Sequence, residues 1–454
     1  MTRKRVATAV ILALGLHCLA RCGAAAENRA EWKYRVRWAV FIHYLGRIST
    51  LLLMLLALVP AARGQTTAQV RPVSPRDFVI MAWGSSPSDP EQLAGMKEAG
   101  LNVSGFCRAE DLERVRIAGL ACFVNDPRLS DNDWERLPVD DELRRRITAA
   151  TLEIKGHPAA LGFFLRDEPS AAMMPGLGRV AALAKEALPD RLSYVNLYPL
   201  YASAAQLGSA DYESYVRGFL RDFHPPFLSW DNYSLIQGEM LDRFYTNLEV
   251  IRRLALEAGI PFWNCILGNS HFFYMEPSDA TLHLQVYSTL AYGGRGIQYF
   301  TYVTPGTGNY RLGALDPFGH RTPTWDMLRR VNLEIQALAP WLVRLTSTGV
   351  YHSDPVPEGS QPMSGSRWVE QASASTADKS VAARYLLGEF EGADGRPYLM
   401  LVNRDLSHSM HFSVKLRQPR LRMKRISPYS SQEEEFGGEV DWLAPGAGIL
   451  LKLQ

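Results

Sequence analysis

The stretch Gly162-Phe163-Phe164-Leu165-Arg166-Asp167-Glu168-Pro169 decides how this chain is read. An apolar run ends abruptly at two adjacent carboxylates and a proline. The pattern describes a buried parallel strand whose C-terminal end carries acids into a cleft, which is where a (β/α)8 barrel keeps its chemistry. Glycoside hydrolysis needs a carboxyl group at such a place, to protonate the leaving oxygen. The plainer alternative is a capping pair ahead of a turn, since Asp and Pro both favour helix starts.

On either side of this stretch, short apolar runs alternate with amphipathic segments. The runs are residues 78–83, 102–106, 121–125, 160–165, 192–197, 227–230, 261–267 and 296–302. Helices are expected between them, at 90–99, 141–155, 176–188, 239–258 and 278–292, with a last one at 325–339. Gly100, Gly259 and Gly293 stand where helix C-termini need a stop. Eight strands alternating with helices imply a parallel sheet, and eight is the number that closes a TIM barrel. A doubly wound open sheet is the competing architecture.

After Pro340 the pattern changes. Residues 380–389, 397–403, 409–416 and 448–453 read as strands separated by turns. Met410, Phe412, Val414 and Leu416 share one face, whereas 448–453 is more uniformly apolar. Residues 358–379, rich in Ser, Gly and Ala, are expected to form a long loop. The expected organisation is therefore a targeting region at 1–64, a barrel at 75–342 and a small antiparallel β-sandwich at 343–454.

Two apolar runs, 6–20 and 51–62, each follow an arginine near the N-terminus. Residues 47–64 read as a signal peptide cleaved near Gln65, which predicts export to the periplasm or beyond. The second run, of roughly 12 apolar residues, is too short to span a bilayer, so no stable membrane span is expected after processing. The 454 residues, 47% hydrophobic and 21% charged, suit two or more domains with a large core. A net charge of +2 gives no reason to expect a nucleic-acid partner. No His/Cys cluster has metal-ligand spacing and no Gly-rich phosphate loop occurs, so neither metal nor cofactor is expected. Cys18 and Cys22 fall in the targeting region. Cys107, Cys122 and Cys265 lie in or beside apolar runs and read as buried free thiols.

If the barrel is right, residues at the strand ends converge on one cleft. The first strand supplies Trp83, Ser85 and Ser86, and the fourth Arg166, Asp167 and Glu168. The fifth supplies Asn196 and Tyr198, and the sixth Trp230, Asp231, Asn232 and Tyr233. The seventh supplies Trp263 and Asn264, with Asn269 and His271 beyond, and the eighth Gln298, Tyr299 and Tyr302. Aromatic rings interleaved with amides and carboxylates are what a carbohydrate site needs. Rings stack on sugar C–H faces, while hydroxyls take paired donors and acceptors. Each residue taken singly is as readily a core aromatic or a turn cap.

Four segments resemble the family 42 β-galactosidases, within the large clan of retaining glycosidases with this barrel. Arg166-Asp167-Glu168-Pro169 resembles the clan's Asn-Glu-Pro at the end of the fourth strand. Leu228-Ser229-Trp230-Asp231-Asn232-Tyr233 resembles the family's sixth-strand segment, and Ile260-Pro261-Phe262-Trp263 the start of its seventh strand. Residues 287–300, with Ala291-Tyr292-Gly293-Gly294-Arg295-Gly296 inside them, resemble its last helix and strand. The resemblance covers about 78–339 and implies that Glu168 is the acid/base. It departs from the family twice. The family's Glu nucleophile on the seventh strand falls at about Ile266, and the clan's Asn before the acid/base is Asp167, which accepts hydrogen bonds only while ionised.

Asp231 is the best second carboxylate by position. From across the barrel mouth it could leave room for a water, as inverting enzymes do with carboxyls roughly 6.5–9.5 Å apart. Glu276 is a weaker candidate on a longer loop. Asp167 beside Glu168 could raise the glutamate's pKa by like-charge repulsion. The expected function is a secreted hydrolase of O-glycosidic bonds in a poly- or oligosaccharide. The alternatives are a non-catalytic carbohydrate-binding relative, favoured by Ile266, and a structural scaffold.

Overall fold

A computed structural model describes Asp77–Gly437 and Trp442–Gln454. The targeting region, the proposed cleavage at Gln65, Cys18 and Cys22 lie outside the described residues. Eight parallel strands occupy the first part: β1 Val79–Ala82, β2 Val103–Cys107, β3 Ala121–Asn125, β4 Ala160–Asp167, β5 Leu192–Asn196, β6 Leu228–Asp231, β7 Phe262–Leu267 and β8 Gly296–Phe300. Their order around the sheet is β5-β4-β3-β2-β1-β8-β7-β6, and a bridge between Leu197 and Trp230 closes it into a barrel. Helices alternate with the strands, among them Pro90–Glu98, Asp140–Ile154, Met174–Ala187, Tyr212–Phe223, Arg243–Ala258, Asp279–Ala291 and Pro323–Leu342. Gly100, Gly259 and Gly293 have φ of +85°, +68° and +95°, so each stop uses the left-handed conformation that costs glycine nothing.

Period-two alternation sorts the strand side chains into two layers. Val79, Met81, Val103, Phe123, Leu161, Tyr194 and Trp263 fill the barrel interior. Ile80, Cys122, Phe163, Val195, Leu228 and Ile297 face the helices. Gly162, at φ +153°, lets β4 approach β5 closely, since a Cβ there would lie 1.8 Å from the carbonyl oxygen of Leu192.

Two sheets follow among the described residues, antiparallel except where the short edge strand Gln361–Pro362 pairs parallel with Leu345–His352. A seven-stranded sheet runs Gln361–Pro362, Leu345–His352, Tyr385–Gly392, Pro397–Asn403, Gly448–Leu453, Met423–Ile426 and Glu433–Glu435; a three-stranded sheet runs Val369–Thr376, Met410–Leu416 and Trp442–Leu443. The larger sheet is buried on both faces. Leu386, Phe390, Met400, Val402 and Leu450 pack with the barrel layer, while Leu387, Leu399, Leu401, Ile449 and Leu451 face the smaller sheet. Hence 448–453 reads as uniformly apolar. Barrel and sheets belong to one compact unit.

Two expectations are corrected. Residues 358–379 are not one long loop, because Val369–Thr376 is a strand paired along Met410–Leu416. Its inward positions between buried Val369 and Thr376 are the half-buried Ala372 and Ala374, alternating with exposed Gln371, Ser373 and Ser375, so the period-two signal is weakly apolar. Cys107 and Cys122 are not free thiols. They form a disulfide with a Cα–Cα distance of 6.3 Å. Both point to the helix side of neighbouring strands, which brings their sulfurs together on one surface of the sheet. Cys265 is buried and free.

Candidate active site

The site begins with an irregularity in the quoted stretch. Strict alternation along β4 would turn Phe163, Leu165 and Asp167 outward together. Instead the register against β5 shifts between Phe164 and Arg166, so that Asp167 lies opposite Asn196. Such a bulge re-aims a side chain at a strand end. Asp167 thereby faces inward and Arg166 outward, exposed to solvent. Glu168 follows with φ +44°, a left-handed conformation that costs a non-glycine residue of order 1 kcal/mol. Its N–H still donates to Asn196 O at 2.8 Å, and the ladder ends at Pro169, whose carbonyl accepts from the Tyr215 hydroxyl at 2.7 Å. Both acids therefore reach the same cavity.

That cavity, of about 420 Å³, opens at the C-terminal ends of β4–β8. Its lining includes Trp83, Asp167, Glu168, Asn196, Tyr198, Tyr201, Asp231, Tyr233, His271, Tyr274, Phe300 and Tyr310. No Lys or Arg occurs among these described lining residues. Arg243 stands nearby but is spent behind the wall, 4.1 Å over the outer face of the Tyr201 ring and donating to the Tyr233 carbonyl.

Three carboxyls are thus gathered without a cation in their cavity. Glu168 and Asp231 are within hydrogen-bonding reach of each other. Asn196 donates from one amide nitrogen to Asp231 Oδ1 at 3.0 Å and to Asp167 Oδ1 at 3.3 Å. Burial, then the neighbouring Asp167 charge, push Glu168 up to about 7. Burial pushes Asp167 up to about 6. Asp231 is raised well above the usual carboxylate range by burial and by the two other acids. Close like charges cannot all ionise cheaply, so the group holds a proton near neutral pH.

Beneath the acids lies a buried polar layer. Ser229 Oγ donates to Asn196 Oδ1 at 2.9 Å, which fixes the amide with its NH2 toward the carboxylates. The Tyr194 hydroxyl donates to Gln298 Oε1 at 2.6 Å and accepts from Trp83 Nε1 at 3.1 Å, and Gln298 Nε2 donates to Ser229 at 2.8 Å. Tyr194 and Ser229 carry no sequence signal on their own. Each lies two residues before a mouth residue on its strand, Asn196 and Asp231, so period-two counting backwards reaches them.

The opposite wall is aromatic. Tyr233 stacks on Phe300 with centroids 5.4 Å apart, and His271 on Tyr310 at 4.9 Å. His271 Nδ1 bonds to Asn269 Oδ1 at 2.8 Å, and Asn269 Nδ2 donates onward to Thr301. The histidine must then donate from Nδ1, which leaves Nε2 as an acceptor. Burial pushes it down to about 4, so it is neutral at physiological pH.

Of the sequence candidates, Trp83, Asp167, Glu168, Asn196, Tyr198, Asp231, Tyr233 and His271 meet in the cavity. The others lie elsewhere, for reasons of strand parity and depth. Arg166 is turned out by the bulge. Trp230 points to the helix layer, fully buried beside Phe262. Asn232 donates to Asn247 on helix Arg243–Ala258, and Asn264 to Thr289 on helix Asp279–Ala291. Trp263 points inward near the start of β7, where it stacks on Phe227 at 3.6 Å and plugs the barrel floor. Gln298 sits one layer below the acids. The Tyr302 hydroxyl accepts from Trp325 on the helix side. Glu276 pairs with Arg311 at 3.0 Å, outside the cavity lining.

Ile266 also faces the helices, so any residue there would miss the cleft. The inward positions of β7 near the mouth are Cys265 and Leu267, neither an acid; the Tyr233 hydroxyl lies 3.7 Å from Cys265 Sγ. Glu168 and Asp231 come within hydrogen-bonding reach, closer than the roughly 6.5–9.5 Å spacing of an inverting pair. Tyr201, Tyr274, Phe300 and Tyr310 were not legible as site residues. Three come from loops that only the closed barrel brings over the mouth, and Phe300 ends a strand.

No family model matches the chain, and no curated protein does. Solved structures do match. A glycoside hydrolase family 5 protein from Bacteroides vulgatus aligns over 83% of this chain and 88% of its own at 12% identity, with a TM-score of 0.50. A protein described as a glycoside hydrolase aligns over 84% and 96%, also at 12% identity, with a TM-score of 0.49. A β-galactosidase from the psychrophilic Marinomonas ef1 aligns over 58% of this chain at 12% identity, with a TM-score of 0.45; the chain spans 60% of that protein's length. The fold is that of the TIM-barrel glycoside hydrolases. At these identities the likeness is one of fold alone.

Proposed function

We propose that this protein is an exported glycoside hydrolase that cleaves O-glycosidic bonds, distantly akin to the family 42 β-galactosidases, with Glu168 as the acid/base. One observation carries the reading. Glu168 lies in a cation-free, aromatic-walled cavity at the chemical end of the barrel, in contact with Asp231 and pushed up to about 7. A general acid must be protonated at working pH and still able to give the proton up, and a value near 7 meets both needs. Asp231 serves as the second carboxylate, hydrogen-bonded to Glu168, while burial and the Asp167 charge keep the acid protonated. Trp83, Tyr233 and Phe300 supply ring faces for a sugar, while Asn196, Tyr198 and the acids supply polar partners for its hydroxyls.

Export accords with the Cys107–Cys122 disulfide, a bond that persists in oxidising compartments. The absence of an acid at Cys265 and Leu267 favours a second reading, a carbohydrate-binding protein without turnover. Glu168→Gln separates the two. The hydrolase reading expects turnover of a plant or bacterial glycan by the unaltered chain and a loss of about 10²–10⁴-fold in kcat in the variant, with binding retained. Binding without turnover in both proteins would establish the second reading instead.

A further inference from the structure

The site holds three acids but lacks the arrangement either usual carboxylate mechanism requires. Glu168 and Asp231 come within hydrogen-bonding reach, closer than the roughly 6.5–9.5 Å spacing that admits an attacking water, and β7 offers Cys265 and Leu267 where an attacking carboxylate would stand. Asp231 is itself nine-tenths buried, with one oxygen taken by Asn196. It is a poor candidate to reach an anomeric carbon. Asp167 is the acid left without a task. The bulge in β4 exists to turn it inward, and Asn196 holds one of its oxygens.

Resting on the glycosidase reading above, we propose that the substrate is a 2-acetamido-2-deoxy sugar, whose own acetamido oxygen stands in for a β7 carboxylate while Asp167 accepts its N–H. The linkage must lie trans to the acetamido group, because the oxygen attacks from the face opposite the leaving group. In the first step the acetamido oxygen bonds to the anomeric carbon as the bond from that carbon to the leaving oxygen breaks. The proton on Glu168 passes to the leaving oxygen. The positive charge on the resulting oxazolinium ring is met by ionised Asp167 at the ring N–H. In the second step water bonds to the anomeric carbon and gives its proton to Glu168, and the ring C–O bond breaks to restore the acetamide. One water is consumed, no electrons are exchanged, and configuration is retained.

The surroundings suit this substrate. A cavity of about 420 Å³ accommodates a substituted hexose ring. The faces of Trp83, Phe300 and Tyr233, with successive centroids 5.6 and 5.4 Å apart, form an apolar wall for the acetyl methyl. An aspartate in place of an amide next to the acid/base also makes sense, since an oxazolinium ring carries a positive charge that a neutral side chain would not offset.

The test uses the full chain and nitrophenyl glycosides matched except at carbon two. The 2-acetamido glycosides are expected to exceed their 2-hydroxy and 2-amino counterparts in kcat/KM by about 10²-fold or more, the scale of one preorganised transition-state interaction. Successive fluorination of the acetyl methyl weakens the attacking oxygen and should lower the rate at each step, with the product anomer retained by NMR. Asp167→Asn should lose about 10²–10³-fold on the acetamido substrates. Equal or faster turnover of the 2-hydroxy glycosides, or an inverted product, would overturn the inference and leave the glycosidase reading intact. A rate indifferent to fluorination would overturn it too. Absence of turnover on every arm would remove both.

Discussion

Two sectors of one barrel mouth make opposite use of their acids. On the β2–β3 side, a cleft of about 1320 Å³ is lined by Asp111, Asp126, Arg108, Arg114 and Arg128. Asp126 is as buried as Asp231, yet it takes a forked pair of bonds from Arg128 and caps the start of helix Pro127–Ser130. Arg128 is further tied to Glu153 at 2.8 Å. On the β4–β6 side, Glu168 and Asp231 have each other, Asn196 and the neighbouring Asp167. A buried carboxylate with a guanidinium is a structural joint. Buried carboxyls with only one another keep a proton at hand.

This contrast can be broken most sharply by substitution on each side. Glu168→Gln is expected to cost about 10²–10⁴-fold in kcat on a substrate with a poor leaving group, with less loss on an activated aryl glycoside and no loss of fold by circular dichroism. Asp126→Asn should show the reverse. Kinetics should stay within a few-fold, while thermal or urea unfolding shows a loss of about 1–3 kcal/mol, from the lost charge of the forked Arg128 pair. If Asp126→Asn were the inactive protein, the acids would have been assigned to the wrong sector.

The next effect is on pH dependence. The hydrogen bond from Asp231 favours the charged form of Glu168, and Asp231→Leu removes it. The alkaline limb of the rate profile, where the acid must be protonated, should move up by roughly one pH unit. A limb that stays in place would show that the two carboxyls do not share a proton.

A smaller effect concerns stability. Glu168 is held at about 7 in the folded chain. The folded state is therefore favoured by protonation, fully so below the ordinary carboxylate value of about 4, and loses that advantage as pH rises through about 7. Removing the charge in Glu168→Gln should raise unfolding stability near pH 8 by about 1 kcal/mol, a figure discounted for contact with cavity water, and leave it unchanged at pH 4. The smallest expectation is for Arg166→Ala. The side chain is exposed and outside the cavity lining, so stability should change by less than about 0.5 kcal/mol.

Much of the barrel was legible because each strand is an apolar run bounded by turn residues and each helix has a stop. The disulfide was not legible, since pairing depends on which strands lie side by side. The strand at Val369–Thr376 was hidden because small alanines fill the inward positions between its buried ends. Within the site, Glu168 and Asp231 were found by their places after apolar runs. Trp230, Asn232, Asn264 and Tyr302 were misplaced because position after a run does not fix the face. Trp263 and Gln298 do point inward, but at depths that only the stagger of the closed barrel sets.

The sequence alone determined where strands and helices lie and that acids end β4, because hydrophobic periodicity and turn chemistry are local properties. Tertiary structure decided which acids meet. The bulge after Phe164 turns Asp167 inward, closure of β5 against β6 brings Asp231 to Glu168, and loops carry Tyr201, Tyr274 and Tyr310 over the mouth. These are relations between strands distant along the chain. A carboxyl's ionisation depends on the partners and solvent such relations leave it, so the chemistry of Glu168 was set by its neighbours in space.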